Sequence, residues 1–367
     1  MKPPSIQDIA QSLDLSIGTV DRALHGRSGI NPTTRARVLK KVEQVGYRPN
    51  VAARSLKLNR RVRIAVYLPR DIASFYDPLR AGITSAASAS IGLNIDLVFR
   101  SFPRLDEGDL DLLTNDANEK FDGILVAPGN PSHITPALQT LARQGTPIIC
   151  VSTDAPKSGR LACVGVEAHT SGAIAAELFS RVIHTPGQLA TFIGDLTTVD
   201  HVEKLRGFAA NLAVFAPHLS LLPAIESHDQ PELAYQQAAA LLSGEPFPLG
   251  IYIATANSIP VLRAIEEKGL FGRIQVITTH LFPELAPYIE TGKVLATLFQ
   301  GPFTQGKAAL ELLLHYLING VVPAPVRRLA PHIILRSNLA LFMTRKDIGA
   351  EAAVPQDSIR GDDSPLF

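Results

Sequence analysis

Apolar positions along this 367-residue chain follow two different rhythms. Near the start they recur at helical spacing. Ile6, Ile9, Ala10 and Leu13 stand at i, i+3, i+4 and i+7, the stripe of an amphipathic helix, with Ser5 placed as its N-cap. Asp14-Leu15-Ser16 interrupts the stripe, and Ser16 is placed to cap a second helix whose apolar face is Val20, Ala23 and Leu24. After a loop, Asn31-Pro32 opens a third helix with Asn as N-cap and Pro in its first turn. Val38, Leu39, Val42 and Val45 give it a stripe to bury, and Gly46 ends it. Three short helices with a shared apolar face make a head of about 45 residues, near the lower limit for folding alone. The first two, joined by so tight a turn, have the form of a helix-turn-helix, although two packed helices at the front of an enzyme fit the same spacing.

From Val62 the rhythm changes. Unbroken apolar runs alternate with helical stretches: VRIAVYLP, a helix near Leu79–Ser90, LNIDLVF, a helix near Leu110–Asn118, DGILVAP, a helix near Thr135–Gln144, then TPIICVS. The series resumes after Val166 with helices over Thr170–Ile183, Val202–Leu212, Glu232–Leu242 and Ile259–Lys268, between the runs QLATFIG, LPAIES, LGIYIA and IQVITT. Runs without polar alternation are parallel strands covered on both faces. Two such series predict a bilobed α/β body of two doubly wound parallel-sheet subdomains with a cleft between them. Ligands of such sheets bind beyond the carboxyl ends of the strands, which singles out Phe75, Tyr76, Asp154, Asn257 and His280.

Charge sharpens this division. Of 35 Lys/Arg and 34 Asp/Glu, residues 1–63 hold 13 and 4, so a basic head stands on an acidic body. Such a head is suited to a polyanion. Cys150 and Cys163 are the only cysteines, each in or beside an apolar run, which fits buried inert thiols and a reducing cytoplasm. MKPPSIQDIA lacks the apolar core of a signal peptide, and no run is long enough to span a membrane, so the expectation is a cytoplasmic protein. The stretch from Glu351 is polar and patternless, without leucine heptads, and residues 346–367 read as a flexible tail.

Motifs of catalysis are missing. Gly301 to Ala308 has the glycine and lysine spacing of a P-loop, but Ala308 stands where Mg²⁺ needs a hydroxyl. There is no G-x-S-x-G elbow, no G-x-G-x-x-G after a strand, and no metal-ligand spacing among the ten histidines. No catalytic residue, cofactor or metal is expected.

Ser5-Ile6-x-Asp8-Ile9-Ala10, Ser16-x-x-Thr19-Val20-x-Arg22, Thr34-Arg35-x-x-Val38 and Gly46-Tyr47-x-Pro49-Asn50-x-x-Ala53-x-x-Leu56 together resemble the headpiece and hinge of the lactose-repressor (LacI/GalR) family. DGILVAP, the Asp after PIICVST, Lys204-Leu-Arg-Gly207-Phe208 and Gln300-Gly-Pro302 resemble that family's effector core, itself similar to periplasmic ribose-type binding proteins. The likeness runs from about Ser5 to about Met343. It implies a helix-turn-helix head over residues 1–48, a hinge helix and linker over 49–61, and a core over 62–345. The expected N-lobe is about 62–163 plus 295–325, and the C-lobe about 164–294 plus 326–345.

Roles are implied residue by residue. Ile17, Gly18 and Arg22 would read bases: Arg22 offers a fork to guanine, and Ile17 an apolar contact. Ser5, Ser16, Thr19, His25, Thr34, Tyr47 and Asn50 would hold the DNA backbone. Leu56, with small Ala53 beside it, would enter the minor groove as an apolar wedge. Asp21 departs from the family's usual serine and leaves the operator sequence open. In the cleft Phe75 and Tyr76 would stack on a sugar ring, and Asp154 would accept from adjacent hydroxyls. Lys204 stands where an arginine is common, His280 where an aspartate is expected, and Asn257 and Gln300 fill other polar positions. The implied protein is a homodimer that represses from a near-palindromic operator and is released by a sugar, polyol or sugar acid. A co-repressor-dependent or activating regulator has the same architecture. A transport-type sugar-binding protein would share the core but lack the head.

Overall fold

Asp14 ends the first helix by turning left-handed, at φ 55°. The Leu15 N–H then reaches back to the Ala10 carbonyl at 2.9 Å, closing the helix end in the Schellman manner. This turn joins α1 (Ile6–Leu13) to α2 (Ile17–Leu24). The Ser16 hydroxyl accepts the Thr19 N–H at 3.1 Å and so caps α2. Asn31 does the same for α3 (Pro32–Val45), its side chain accepting from Thr33 N–H at 2.9 Å. Ile9, Ala10, Val20, Ala23 and Val38 form the head's core, with Leu13, Leu15, Ile30 and Val42 against it. Leu39, expected inside, is 44% exposed: Val38 and Val42 share one face, and Leu39 lies a step around the helix from it.

The computed structural model describes residues 6–24, 29–45 and 61–343. Ser5, His25, Tyr47, Asn50, Ala53 and Leu56 lie outside the described residues, as does the expected tail.

In the body, β1 (Arg61–Pro69), α4 (Ala73–Ala89), β2 (Asn94–Phe102), α5 (Asp109–Asn115), β3 (Gly123–Val126), α6 (Pro131–Arg143), β4 (Ile148–Val151) and β5 (Ala162–Val166) build the first lobe. The second follows with α7 (Ala168–Val182), β6 (Gly187–Ile193), α8 (Val199–Phe215), β7 (Leu219–Leu221), β8 (Ile225–Glu226), α9 (Pro231–Leu241), β9 (Gly250–Ile253), α10 (Ile259–Glu267), β10 (Gln275–Thr279), α11 (Ala286–Glu290) and β11 (Ala296–Phe299). After these come α12 (Pro302–Asn319), β12 (Val326–Leu329), β13 (His332–Ile334) and α13 (Leu339–Met343). One sheet runs β12-β5-β4-β3-β1-β2, the other β13-β11-β10-β9-β6-β7, with β8 also on β6. Only β13, antiparallel to β11, breaks the parallel run of the second sheet.

Pairing moves the expected lobe boundaries. All of β5 lies in the first sheet and all of β11 in the second, so neither residue 163 nor residue 295 marks a crossing. Residues 326–329, expected in the C-lobe, add β12 to the first sheet in parallel with β5, and β13 then returns to the second. The chain therefore crosses three times, the last time between Leu329 and His332. β12 is a largely exposed edge strand, VRRL, and carries no apolar signal by which to assign it.

Glycines set the helix layers. In the first lobe, a Cβ on Gly82 would lie 2.0 Å from the Phe303 carbonyl oxygen, and one on Gly306 would lie 2.1 Å from that of Leu79. In the second, Gly172 meets the Lys204 carbonyl at 1.9 Å by the same measure, and Gly207 that of His169 at 1.9 Å. Each lobe thus presses one helix pair together backbone to backbone, α4 on α12 and α7 on α8. Gly306, which gives the P-loop spacing, is one of these contacts inside a helix. Cys150 and Cys163 are buried neighbours across β4 and β5, and burial pushes the Cys150 thiol up to about 12.

Candidate DNA-reading helix and effector cleft

On the head, α2 presents to solvent the three residues expected to read bases. Ile17 is 47% exposed, Gly18 is exposed with only the Ser16 hydroxyl, at 3.9 Å, near where a Cβ would stand, and Arg22 is exposed with its Nε donating to the Gly18 carbonyl at 3.2 Å. The Ser16 and Thr19 hydroxyls bond each other at 2.8 Å while capping the helix, and Thr34 is half-buried at the start of α3.

In the body, residues from both lobes line a chamber. Ile72, Phe75, Tyr76 and Leu105 come from the first lobe, and Ser152 and Thr153 from the loop after β4. Thr198, Asp200, His201, Lys204, Asp229, Thr255 and Ala256 come from the second, and Gln300 from the crossing after β11. Four of the expected ligand residues, Phe75, Tyr76, Lys204 and Gln300, meet here. The rings of Phe75 and Tyr76 stand edge to face at 5.1 Å.

Electrostatics in the chamber are strongly constrained. Lys204 is 1% exposed; its ammonium lies 2.6 Å from Asp200 Oδ2 and donates to the Ala254 carbonyl at 3.3 Å. Asp229 is 8% exposed and accepts from the Thr255 hydroxyl through Oδ1. Gly194 makes room beside it: a Cβ there would lie 2.8 Å from Asp229 Oδ2 and 2.4 Å from the His201 ring. His201 Nδ1 accepts the Asp195 N–H at 3.0 Å, and burial lowers the imidazole's pKa, which keeps the ring neutral. Burial also raises the pKa of Tyr76, and the Asp229 and Asp200 charges add to the effect.

Three expected ligand residues stand elsewhere. Asp154 is 4% exposed and is gripped by Arg160, with Nη2 at 2.6 Å from Oδ2 and Nε on Oδ1. Arg160 also donates to the Pro325 carbonyl at 2.8 Å, tying the loop after β4 to the strand that enters β12. Asp154 is therefore a structural carboxylate on a side bay, which corrects the expectation of a sugar-hydroxyl acceptor. His280 is fully buried and lines neither the chamber nor its bays. Its Nε2 donates to the Ser74 carbonyl at 2.9 Å, and its ring lies among Phe75, Phe282 and Phe299. That corrects the expected ligand contact to a contact between lobes. Asn257 lines a bay next to the chamber, its N–H donating to the Thr255 hydroxyl at 3.3 Å.

Thr198, Asp200, His201, Asp229 and Thr255 were not among the expected ligand residues. Asp200 and Lys204 stand at i and i+4 on α8, a spacing from which their pairing was readable. Asp229 follows His228 through two left-handed residues, at φ 48° and 50°, in a turn after β8 that no periodicity marks.

Known proteins match both parts. Residues 5–50 match the family described as bacterial regulatory proteins, lacI family, and residues 64–320 match the periplasmic binding protein domain. Catabolite control protein A of Priestia megaterium is 23% identical over 337 residues, 90% of this chain and 97% of its own. The HTH-type transcriptional regulator DegA of Bacillus subtilis is 29% identical over 206 residues, 56% of this chain and 59% of its own. Among solved structures, a solute binding protein of Burkholderia graminis in complex with D-arabinose aligns with TM-score 0.70 and 19% identity, covering 76% of this chain and 96% of that one. One from Bacillus halodurans with bound myo-inositol aligns with TM-score 0.68 and 15% identity, covering 77% and 96%.

Proposed function

Because the chain belongs to the lacI family of bacterial regulatory proteins, with a periplasmic binding protein domain as its body, we propose that it acts as a sugar-released repressor working as a dimer on a near-palindromic operator. The observation that carries this reading is a division of labour. The head turns Ile17, Gly18 and Arg22 outward on one short helix, and the body closes aromatic, hydroxyl and charged side chains around a chamber. Relatives named as transcriptional regulators support the first half. Structural neighbours holding D-arabinose and myo-inositol support the second.

One head offers a small interface, and two heads on two half-sites give specific affinity. Arg22 offers two parallel donors to guanine O6 and N7, Ile17 an apolar face to a thymine methyl. Residues 49–61 would deliver Leu56 from each subunit to the central minor groove, where a leucine wedge costs a few kcal/mol of unstacking and gains the bent, wrapped contact. An effector joining the lobes changes the arrangement of the hinge segments, and operator and effector are then coupled through one equilibrium.

The test is operator binding by the purified protein, on fragments selected from random DNA, with and without each ligand that stabilises it. Release by a bound sugar is the expected result; tightening would make the ligand a co-repressor. Leu56→Ala should lose specific binding much more than nonspecific binding. Equal loss in both would remove the wedge from the mechanism.

A further inference from the structure

The chamber and the bays that open from it are rich in negative charge. Ten carboxylate side chains line them against three cations, Lys204, Arg104 and Arg328. Each cation is already engaged. Lys204 sits on Asp200 at 2.6 Å, Arg104 on Asp71 at 3.1 Å and on Glu107 at 2.6 Å, and Arg328 near Glu167 at 3.6 Å. Among the described residues that line these spaces, no lysine or arginine is left unpaired to receive a phosphate or a carboxylate. Such a ligand would have to displace a carboxylate from a buried cation, or sit uncompensated among the acids.

Asp229 is the surplus. It is 8% exposed, yet among the described residues no cationic side chain lies within ion-pair distance of it. Its one side-chain bond comes from a neutral hydroxyl, that of Thr255. The nearest titratable ring, His201, accepts a backbone N–H and is held neutral by burial, so it brings no compensating charge. A nearly buried carboxylate with neutral neighbours is costly until a donor, best a charged one, reaches it. Gly194 itself puts no side chain against Oδ2, and the His201 ring borders the same space.

We propose that the effector is a polyhydroxylated compound bearing a protonated amine, an amino sugar or amino polyol, whose ammonium is taken by Asp229. This rests on reading the chamber as a sugar site and narrows it. Phe75 and Tyr76 cover the ring, and Thr198, Thr255 and Gln300 are within the same wall for its hydroxyls. The Lys204–Asp200 pair offers one further donor and acceptor without net charge.

The experiment is calorimetric titration of the full chain with matched probes: D-glucose, D-glucosamine, N-acetyl-D-glucosamine and D-glucose 6-phosphate, and the corresponding galactose series. The amine should bind tighter than its neutral partner by about tenfold or more, as a charge-assisted bond to a buried carboxylate predicts. N-acetylation, which removes the charge, should abolish the difference, and the phosphates should bind weakest. Asp229→Asn should bring amine and neutral sugar to similar affinity, whereas the comparison in the unaltered protein needs no variant to fold. A neutral or phosphorylated sugar binding tighter than its amine overturns the proposal and leaves the sugar site standing. Failure of every probe in both series overturns the sugar-site reading together with it.

Discussion

His280 donates from Nε2 to the carbonyl oxygen of Ser74, 2.9 Å away in the opposite lobe. That carbonyl is free because the residue four positions on is Pro78, which has no N–H to return to it. A proline inside α4 thus opens an acceptor at the helix start, next to the Phe75 and Tyr76 rings of the chamber. The imidazole that fills it is otherwise sealed among phenylalanines, its Nδ1 without a partner.

This bond should act as a latch on the closed arrangement. His280→Phe keeps an aromatic ring and removes the donor, leaving the Ser74 carbonyl unpaired when the lobes close, a cost of about 1–3 kcal/mol. Effector affinity should fall by about tenfold. Small-angle scattering should show a more open ligand-free body. An unchanged affinity and radius would remove the latch.

Acidification should release it. Burial lowers the His280 pKa from 6.5 to about 4, so the folded ring stays neutral while the unfolded one takes up a proton. Its contribution to stability is complete above pH 6.5 and is lost as pH falls toward 4, by about 3 kcal/mol in all. Urea unfolding of the wild type and His280→Gln at pH 7 and pH 5 measures this. The difference between their stabilities should shrink at pH 5; a constant difference would mean that His280 does not titrate with folding.

Asp154→Asn should cost stability and spare binding. It removes one charge of a buried pair and strands Arg160 against the Pro325 carbonyl, which typically costs about 3–5 kcal/mol. The melting temperature should drop by several degrees while the dissociation constant of any chamber ligand stays within about threefold. A selective loss of ligand with full stability would return Asp154 to the effector site.

Gly172→Ala tests how the second lobe holds its lysine. The new methyl would press on the Lys204 carbonyl, driving α8 away from α7 at the residue whose ammonium lines the chamber. Overpacking of this kind costs about 1–3 kcal/mol, and against backbone the upper end is expected. Weaker effector binding should accompany the lower melting point. Gly82→Ala makes the matching contact in the first lobe and should destabilise without touching Lys204.

Arg22→Ala should relax preference at one base pair of each half-site, by about 1–3 kcal/mol, and leave the others as they were. Binding measured against a set of single-base operator variants reads this directly. A uniform loss across the set, with a shallower salt dependence, would make Arg22 a phosphate contact.

Much of this was legible beforehand, and for physical reasons. Ile9, Ala10, Val20 and Val38 were readable because a small core leaves a periodic trace, and Ser16 and Asn31 because a cap needs a particular side chain at a particular place. Phe75 and Tyr76 were found by their position after a strand. Asp154 and His280 were placed by the same rule and proved engaged elsewhere, because position after a strand says nothing of a partner six residues on, or of a carbonyl in the other lobe. Asp229 escaped since strand rhythm fades through β7 and β8, and the turn that aims it is set by two left-handed backbones.

The last crossing has a consequence for how the body is made. β12 and β13, two residues apart, supply an edge strand to each sheet, so neither lobe is finished until both have emerged from the ribosome. At about 5–20 residues per second, the first sheet would wait many seconds for the partner of β5 while the second is synthesised between its parts. During that interval β5 presents an unpaired edge, open to strands of other nascent chains. A ribosome-bound chain halted before Val326 should therefore need a chaperone to stay apart from its neighbours, and one released after Met343 should not.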